Sequence, residues 1–500
     1  MRVLIFHGYL LRGTGSNVYN ASLAQTLAAM GHEVHLLCQD RRADELEWVD
    51  SVEGPGRPGA VTVHIPDIGD LLPVYVADRY EGFEVKTFAE LSDAELDRYL
   101  SANVEAITRV VGEAGAPDAA LANHLVMGPA ILARAGLRFA AAIHGSALEY
   151  TVKRDPERFL PYAREGMTAA AGVLVGSRHT AESLWAALRD ESLPGRTRLG
   201  PPGVDTGLFA PLDPDAAPGR LHEVARSAAA NPDDRWGRDP GAAAEAIAWF
   251  AAGSGPRVVF VGKLMVAKGI DLLLAAWPLV VAENPGARLL VIGFGAYRET
   301  AERLWAAVEG GDLGAAREIA RRGRGLEGGP EGKLEMLSAF LDDPPEGWLE
   351  AARAAAGSVR LCGRLEHDEV GALVPASDAL VFPSTFPEAF GMVASEAAAA
   401  GALPVSAAHS GLAEVSRELA ATLPDAAAGL VSFELGNGAI ESIAARLNGW
   451  LALDDATRDA ARAALRETVA RLWSWEGVAR GVVAASAGRL DELPQVPEGI

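Results

Sequence analysis

Cysteine is almost missing from this chain, with Cys38 and Cys362 the two thiols among 500 residues. Both lie in apolar runs, which excludes a disulfide scaffold and a cysteine-ligated zinc site and points to a reducing compartment. Positive charge is also short: 45 Lys and Arg stand against 67 Asp and Glu, a formal net charge of −22. A field of that sign repels nucleic acid and anionic lipid at long range, so neither is an expected partner. No apolar run has the length of a bilayer span; Ile270–Ala282 comes nearest and contains Asp271. The opening Met1–Gly8 has too few apolar residues before a polar break for a signal-peptide core, and a cytoplasmic location is expected. Gly (54) and Pro (29) follow no period, which removes collagen-like readings.

Several catalytic signatures are lacking as well. The loop Gly13-Thr14-Gly15-Ser16-Asn17 would need a third glycine at Val18 to make a dinucleotide fingerprint. Ser177 has no Gly-x-Ser-x-Gly frame around it. No His, Cys or Asp cluster has metal-ligand spacing, and none is expected to bind a metal. His124 and His179 stand isolated in the sequence, where a structural role is the expectation.

What is present is an alternation. Strand-length apolar runs occur at Val3–Phe6, Val34–Cys38, Val61–Ile65, Ala140–Ile143 and Val173–Val175, with a helical pattern over Ser16–Met30 ending at Gly31. The pattern restarts with strands at Val258–Val261, Arg288–Ile292, Val359–Cys362, Ala379–Phe382 and Leu403–Ser406, and helices over Lys268–Asn284 and Phe390–Ala400. Continuously apolar strands separated by helices imply parallel sheets covered on both faces. The expectation is α/β: two Rossmann-like, doubly wound domains facing across a cleft, joined near Pro201-Pro202-Gly203. Residues 212–254 and 296–357 break the pattern and read as helical insertions in the second domain. Ala439–Leu453 and Asp455–Arg489 read as terminal helices, and Trp473 and Trp475 anchor the end of the chain, residues 473–500, on the first domain.

Ligands of such sheets bind beyond the carboxyl ends of the strands. Gly262-Lys263 closes one strand and Lys268-Gly269 opens the next helix, so two cations five residues apart face that crevice. They suit a diphosphate gaining charge as it leaves. The run Pro383-Ser384-Thr385-Phe386-Pro387-Glu388-Ala389-Phe390-Gly391 leaves another strand and enters an Ala-rich helix that carries Glu396. A carboxylate among Val393, Ala394, Ala397 and Ala398 is costly to bury without a hydroxyl or cation partner.

This constellation resembles the retaining family 4 glycosyltransferases of the GT-B fold, also called glycosyl transferases group 1. The matching features run along most of the chain: the Gly-rich first turn, Ala28-Ala29-Met30-Gly31-His32-Glu33-Val34, His144-Gly145, and Pro202-Gly203-Val204-Asp205 with Phe209. They continue with the two lysines, the Pro-Glu-Ala-Phe-Gly run, Gly401-Ala402-Leu403-Pro404-Val405, Gly411-Leu412-Ala413-Glu414 and Trp475-Glu476.

The resemblance implies that residues 1–203 form an acceptor-side domain and 204–472 the nucleotide-sugar-binding domain. It implies a hexosyl transfer from a nucleotide-diphosphate sugar with retention and without metal or cofactor, to a small-molecule, glycan or lipid-linked acceptor. Lys263 and Lys268 would hold the diphosphate, Gly15 would approach it, and Glu388 would contact the donor sugar. Phe390 and Gly391 would offer it backbone N–H groups, Glu396 would bind the nucleotide ribose, and His144 would line the reacting centre. Lys263 stands where the family more often has Arg, and the first loop lacks the family's adjacent glycines and acidic residue. A GT-B epimerase or phosphorylase, or a non-catalytic nucleotide-sugar-binding protein, are the alternatives. Oligomeric state is not legible.

Overall fold

The computed structural model describes residues 1–13, 15–76, 82–231 and 238–497. They divide into two compact units, one of residues 1–203 with 473–500 and the other of residues 204–472.

The first unit is built on strands β1 (Arg2–Phe6), β2 (Glu33–Leu37), β3 (Ser51–Val52) and β4 (Ala60–His64), a separate pair β5 (Leu71–Val74) and β6 (Glu84–Thr87), then β7 (Ala119–Asn123), β8 (Ala140–Ile143), β9 (Gly172–Val175) and β10 (Thr197–Leu199). The main sheet has the order β10-β9-β8-β7-β1-β2-β4-β3, and every pairing in it is parallel. The chain winds outward from β1 through β2 to β4, then returns to β7 and winds the other way. The crossovers therefore diverge between β1 and β7, the switch point of a doubly wound sheet.

Parallel strands bury both faces, and β1, β4 and β8 have almost no exposed residue. One face is covered by helix Gly15–Ala29 together with the chain-end helix Trp475–Ser486. The Trp475 ring packs edge-on against Tyr19, with centroids 5.6 Å apart. Helix Asp93–Ala114, on the opposite face, starts at a Ser92 capping box and ends at Gly115, whose φ of 93° suits only glycine well.

The second unit repeats the plan with β11 (Arg257–Val261), β12 (Arg288–Ile292), β13 (Val359–Gly363), β14 (Ala379–Phe382), β15 (Leu403–Ala407) and β16 (Ser432–Phe433). Its order is β13-β12-β11-β14-β15-β16, again parallel throughout, with the switch point between β11 and β14.

Structure and sequence differ in particulars. The strand β7 has no counterpart in the apolar pattern, because Ala119-Ala120-Leu121-Ala122-Asn123 contains no β-branched or aromatic residue. The pair β5 and β6 and helix Asp93–Ala114 also went unread. The run Asp455–Arg489 breaks in two: helix Asp455–Leu472 lies in the second unit, and Ser474 then caps Trp475–Ser486 in the first. The two interrupting segments do form helices, at Ala217–Ala230 and Pro240–Ala251, and at Arg298–Gly310, Leu313–Arg322, Glu335–Asp342 and Trp348–Ala354.

The later segment is anchored in the core of its unit. Trp348 is fully buried and its indole N–H donates to the Ala275 carbonyl at 2.9 Å, on helix Ile270–Glu283. Deleting so large a buried ring leaves a cavity, which costs about 3–5 kcal/mol. Trp348→Ala is therefore expected to lower the unfolding free energy of the second unit by about that amount, measured by urea denaturation. Trp348→Phe should cost clearly less. A near-neutral Trp348→Ala would show the segment to be dispensable.

Candidate functional site

In the second unit the candidate residues gather at the switch point. Strand β11 ends at Val261, and Lys263 follows two residues later, with its ammonium 5.7 Å from the centre of the Phe294 ring. A short turn, Val266–Lys268, ends at Gly269 with φ of 69°, and helix Ile270–Glu283 begins there. A Cβ on Gly269 would sit 2.0 Å from the Pro383 carbonyl oxygen, so only glycine fits between the loops after β11 and β14. The loops are also bonded, Thr385 N–H donating to Ala267 O at 2.9 Å.

This apposition pairs Lys268 with Glu388. The ammonium donates to Glu388 Oε1 at 2.5 Å, and the Ser384 hydroxyl donates to the same oxygen at 2.7 Å. Neither side chain is fully buried, and Lys268 also lies 5.2 Å from the Phe382 ring centre. The Glu388 backbone is clamped from the other side: its N–H donates to Ser410 Oγ at 2.9 Å and its carbonyl accepts from Gly411 N–H at 2.9 Å. Two residues given separate tasks by the family resemblance, diphosphate and sugar, thus form one ion pair.

Phe390 is buried, and Gly391 precedes helix Met392–Ala399, whose first-turn N–H groups have no partner within the helix and whose dipole favours an electronegative ligand. Glu396 lies on that helix, buried, with its Oε1 bonded to His367 Nε2 at 2.9 Å. His367 opens helix His367–Leu373 and was not singled out from sequence. The one available signal was the buried carboxylate, which demanded a partner. A further contact comes from the inserted segment, where Glu327 accepts the N–H of Val266 in the lysine loop at 2.8 Å.

His144 and Gly15 belong to the first unit. Gly15 is the first residue of helix Gly15–Ala29, while Thr14, part of the same motif, lies outside the described residues. His144 follows β8, and its Nε2 lies 2.7 Å from Asn123 Oδ1. Asn123 in turn donates to Asn20 Oδ1 at 2.7 Å, and Asn20 donates to His7 Nδ1 at 3.0 Å. His7 Nε2 then lies 2.9 Å from Asn17 Oδ1 and 3.0 Å from the Leu10 carbonyl.

One tautomer satisfies this chain. His7 accepts at Nδ1 and so carries its proton on Nε2. Asn123 uses its amide as donor, so its oxygen accepts from His144 Nε2–H, and His144 Nδ1 remains an acceptor. Burial pushes both imidazoles down, His7 to about 4 and His144 to about 3, so both are neutral near pH 7.

His124, expected to stand alone, does not. Its ring lies 5.0 Å from His144 and 4.7 Å from Tyr75, and both of its ring nitrogens are buried without a hydrogen-bond partner among the described residues. Burial and the neighbouring His144 and His7 hold it neutral too. The histidines gather because β8, β7 and β1 are adjacent strands whose ends carry them, a register invisible in a linear sequence. Among the described residues, no group of three or more His, Cys, Asp or Glu side chains is placed to hold a metal ion.

Residues 13–208 match the model of Glycosyltransferase Family 4, and residues 349–466 that of glycosyl transferases group 1. The chain is family 4-like, with the GT-B fold. This GT-B chain is 29% identical to the D-inositol 3-phosphate glycosyltransferase of Segniliparus rotundus over 58% of its own length and 47% of that protein. It is 27% identical to the GDP-mannose-dependent alpha-(1-6)-phosphatidylinositol monomannoside mannosyltransferase of Mycolicibacterium smegmatis, over 39% of this chain and 41% of that one. The matches thus span less than half the length of either relative.

Among solved structures, Anabaena HepE in complex with UDP-glucose superposes with a TM-score of 0.57 at 15% identity, covering 99% of this chain and 100% of the other. Sucrose-phosphate synthase of Thermosynechococcus elongatus gives 0.55 at 18% identity, covering 98% of each chain. These likenesses establish the fold. Among the described residues no helix is long and apolar enough to cross a membrane.

The neutral histidines of the first unit have a consequence for stability. In the unfolded chain they bind protons below about pH 6.5, while in the folded state they remain neutral until about 4 and 3 for His7 and His144. Stability is therefore present above pH 6.5 and falls as pH drops, by about 1.4 kcal/mol per pH unit for each such histidine. Urea midpoints should decline from pH 6.5 to 5, and unfolding at pH 5.5 should take up protons. Flat midpoints over that interval would mean the cluster is already charged.

Proposed function

We propose that this protein transfers a hexosyl group from a nucleotide-diphosphate sugar to a hydroxyl acceptor, with retention and without a divalent metal. The observation that carries this reading is the Lys268–Glu388–Ser384 constellation at the switch point of the second sheet, with Glu396 buried on the helix that follows. The relatives' names support a nucleotide-sugar donor, one being GDP-mannose-dependent, and one structural neighbour carries UDP-glucose. The acceptor class is a small molecule, a glycan or a lipid-linked sugar.

The chemistry follows from charge. As the bond between the anomeric carbon and the diphosphate oxygen breaks, negative charge grows on the departing phosphate. Lys263 and Lys268 oppose that charge, and cations already in position need little reorganisation during the reaction. The acceptor hydroxyl oxygen bonds to the anomeric carbon on the face the phosphate leaves, and its proton passes to the phosphate oxygen. No enzyme nucleophile takes part. Glu388 Oε1 is occupied by Lys268 and Ser384, so Oε2 is the oxygen available to sugar hydroxyls. Phe390 and Gly391 offer backbone N–H groups to the sugar, Gly15 approaches the diphosphate, and Glu396 accepts from the ribose hydroxyls. The neutral Nδ1 of His144 serves as a hydrogen-bond acceptor rather than as a charge.

Thermal-shift screening with UDP, GDP and ADP sugars should find a donor that stabilises the protein, and acceptor-free hydrolysis of it should proceed in excess chelator. Activity that vanishes in chelator and returns only with Mg²⁺ or Mn²⁺ would overturn the metal-free reading. Isomerised donor in place of transfer product would identify an epimerase.

The two carboxylates should separate in kinetics. Losing a charged hydrogen-bond partner costs about 1.5–3 kcal/mol, roughly ten- to hundredfold. Glu388→Gln is expected to show that loss in kcat, and Glu396→Gln in donor KM. Changes of less than a few-fold in both variants would place the site elsewhere.

A further inference from the structure

Glu396 has a second neighbour in space that the motif does not contain. Its Oε1 lies 2.9 Å from His367 Nε2, and no other side-chain bond to this carboxylate is present among the described residues. The imidazole is itself fixed. It is the first residue of helix His367–Leu373, and its ring packs against Phe209 with centroids 5.3 Å apart. The start of that helix is pinned by Glu369, which accepts the Glu366 N–H at 2.7 Å and is gripped by Arg238 through two bonds of 2.6 and 2.7 Å. Arg238 and Glu369 are both buried, so this anchor is rigid.

We propose that His367 is a positioning residue for the donor: its ring N–H occupies Oε1 of Glu396 and so presents Oε2 to the vicinal hydroxyls of the nucleotide ribose. The inference rests on the reading of Glu396 as the ribose carboxylate. A carboxylate that must accept from two adjacent hydroxyls loses rotational freedom on binding. One already held by a charged partner has less to lose, so the nucleotide binds more tightly.

Two effects oppose the charged ring, namely burial and the positive end of its own helix. They are outweighed by three carboxylates that face it, Glu396 first, then Asp368 on its helix and Asp205 on the segment that brings Phe209. The nearby Glu366 is engaged by Arg364 at 2.5 Å. His367 therefore titrates above the usual histidine value. Its charge is present below that raised pKa and is lost as pH rises through it. A charge-assisted hydrogen bond is about twice as strong as a neutral one, so nucleotide affinity should fall with rising pH by about three- to tenfold.

The test uses the full chain and the free diphosphates UDP, GDP and ADP, following whichever binds most tightly by calorimetry from pH 6 to 9. His367→Gln retains an N–H donor that does not titrate. The expected result is a wild-type Kd that rises across this range relative to His367→Gln, whose own profile shows only the titration of the nucleotide. At pH 6.5 the variant should bind about three- to tenfold more weakly, with kcat at saturating donor changed less than about twofold. In the Glu396→Gln background, His367→Gln should have no further effect. Superimposable pH profiles for wild type and His367→Gln, with Glu396→Gln still weakening nucleotide binding, would overturn this inference alone. Nucleotide binding unchanged by Glu396→Gln, or absent altogether, would overturn it together with the reading of Glu396 beneath it. Equal urea midpoints for wild type and His367→Gln at pH 7 would show that the affinity change is not a folding defect.

Discussion

The arrangement in the second unit depends on a steric constraint: the loops leaving two adjacent parallel strands meet with no room for a side chain at Gly269. The Pro383 carbonyl occupies the place a Cβ would take, and the bond from Thr385 N–H to Ala267 O fixes the apposition. Lys268 and Glu388 lie 120 positions apart in the chain, yet this contact makes them an ion pair. The cause is topological. Between β11 and β14 the crossovers diverge to opposite sides, so the two strand ends are left to their own loops.

The same topology serves different chemistry in the first unit. Between β1 and β7 the strand ends carry a relay of Asn and His side chains ending at His144. Burial makes charge expensive there, and the amides satisfy neutral imidazoles whose tautomers follow from the bonding chain. One unit concentrates lysine and carboxylate; the other keeps a neutral set of donors and acceptors.

The inserted segment of the second unit takes part in the same economy of contacts. Trp348 closes the core against helix Ile270–Glu283, and Glu327 holds the backbone of the lysine loop through Val266. A segment that breaks the strand-helix pattern has become a support for the loop between Lys263 and Lys268.

The amino-acid sequence by itself determined the fold class, because continuous apolar strands between helices have one economical solution, a parallel sheet covered on both faces. It also marked Lys263, Lys268, Glu388 and Glu396, since lysines at a strand end and a carboxylate in an Ala-rich helix are conspicuous against their surroundings. It could not mark β7, whose alanines are buried by neighbours rather than by any strand preference of their own. Nor could it mark His367, His7, Asn20 or Asn123, because each of these acts through a partner brought close by sheet order. Pairing of Lys268 with Glu388, and of His367 with Glu396, was decided only by tertiary structure. Local pattern encodes which residues enter strands and helices, while hydrogen-bond partners depend on which strand ends become neighbours, and that is a property of the whole winding.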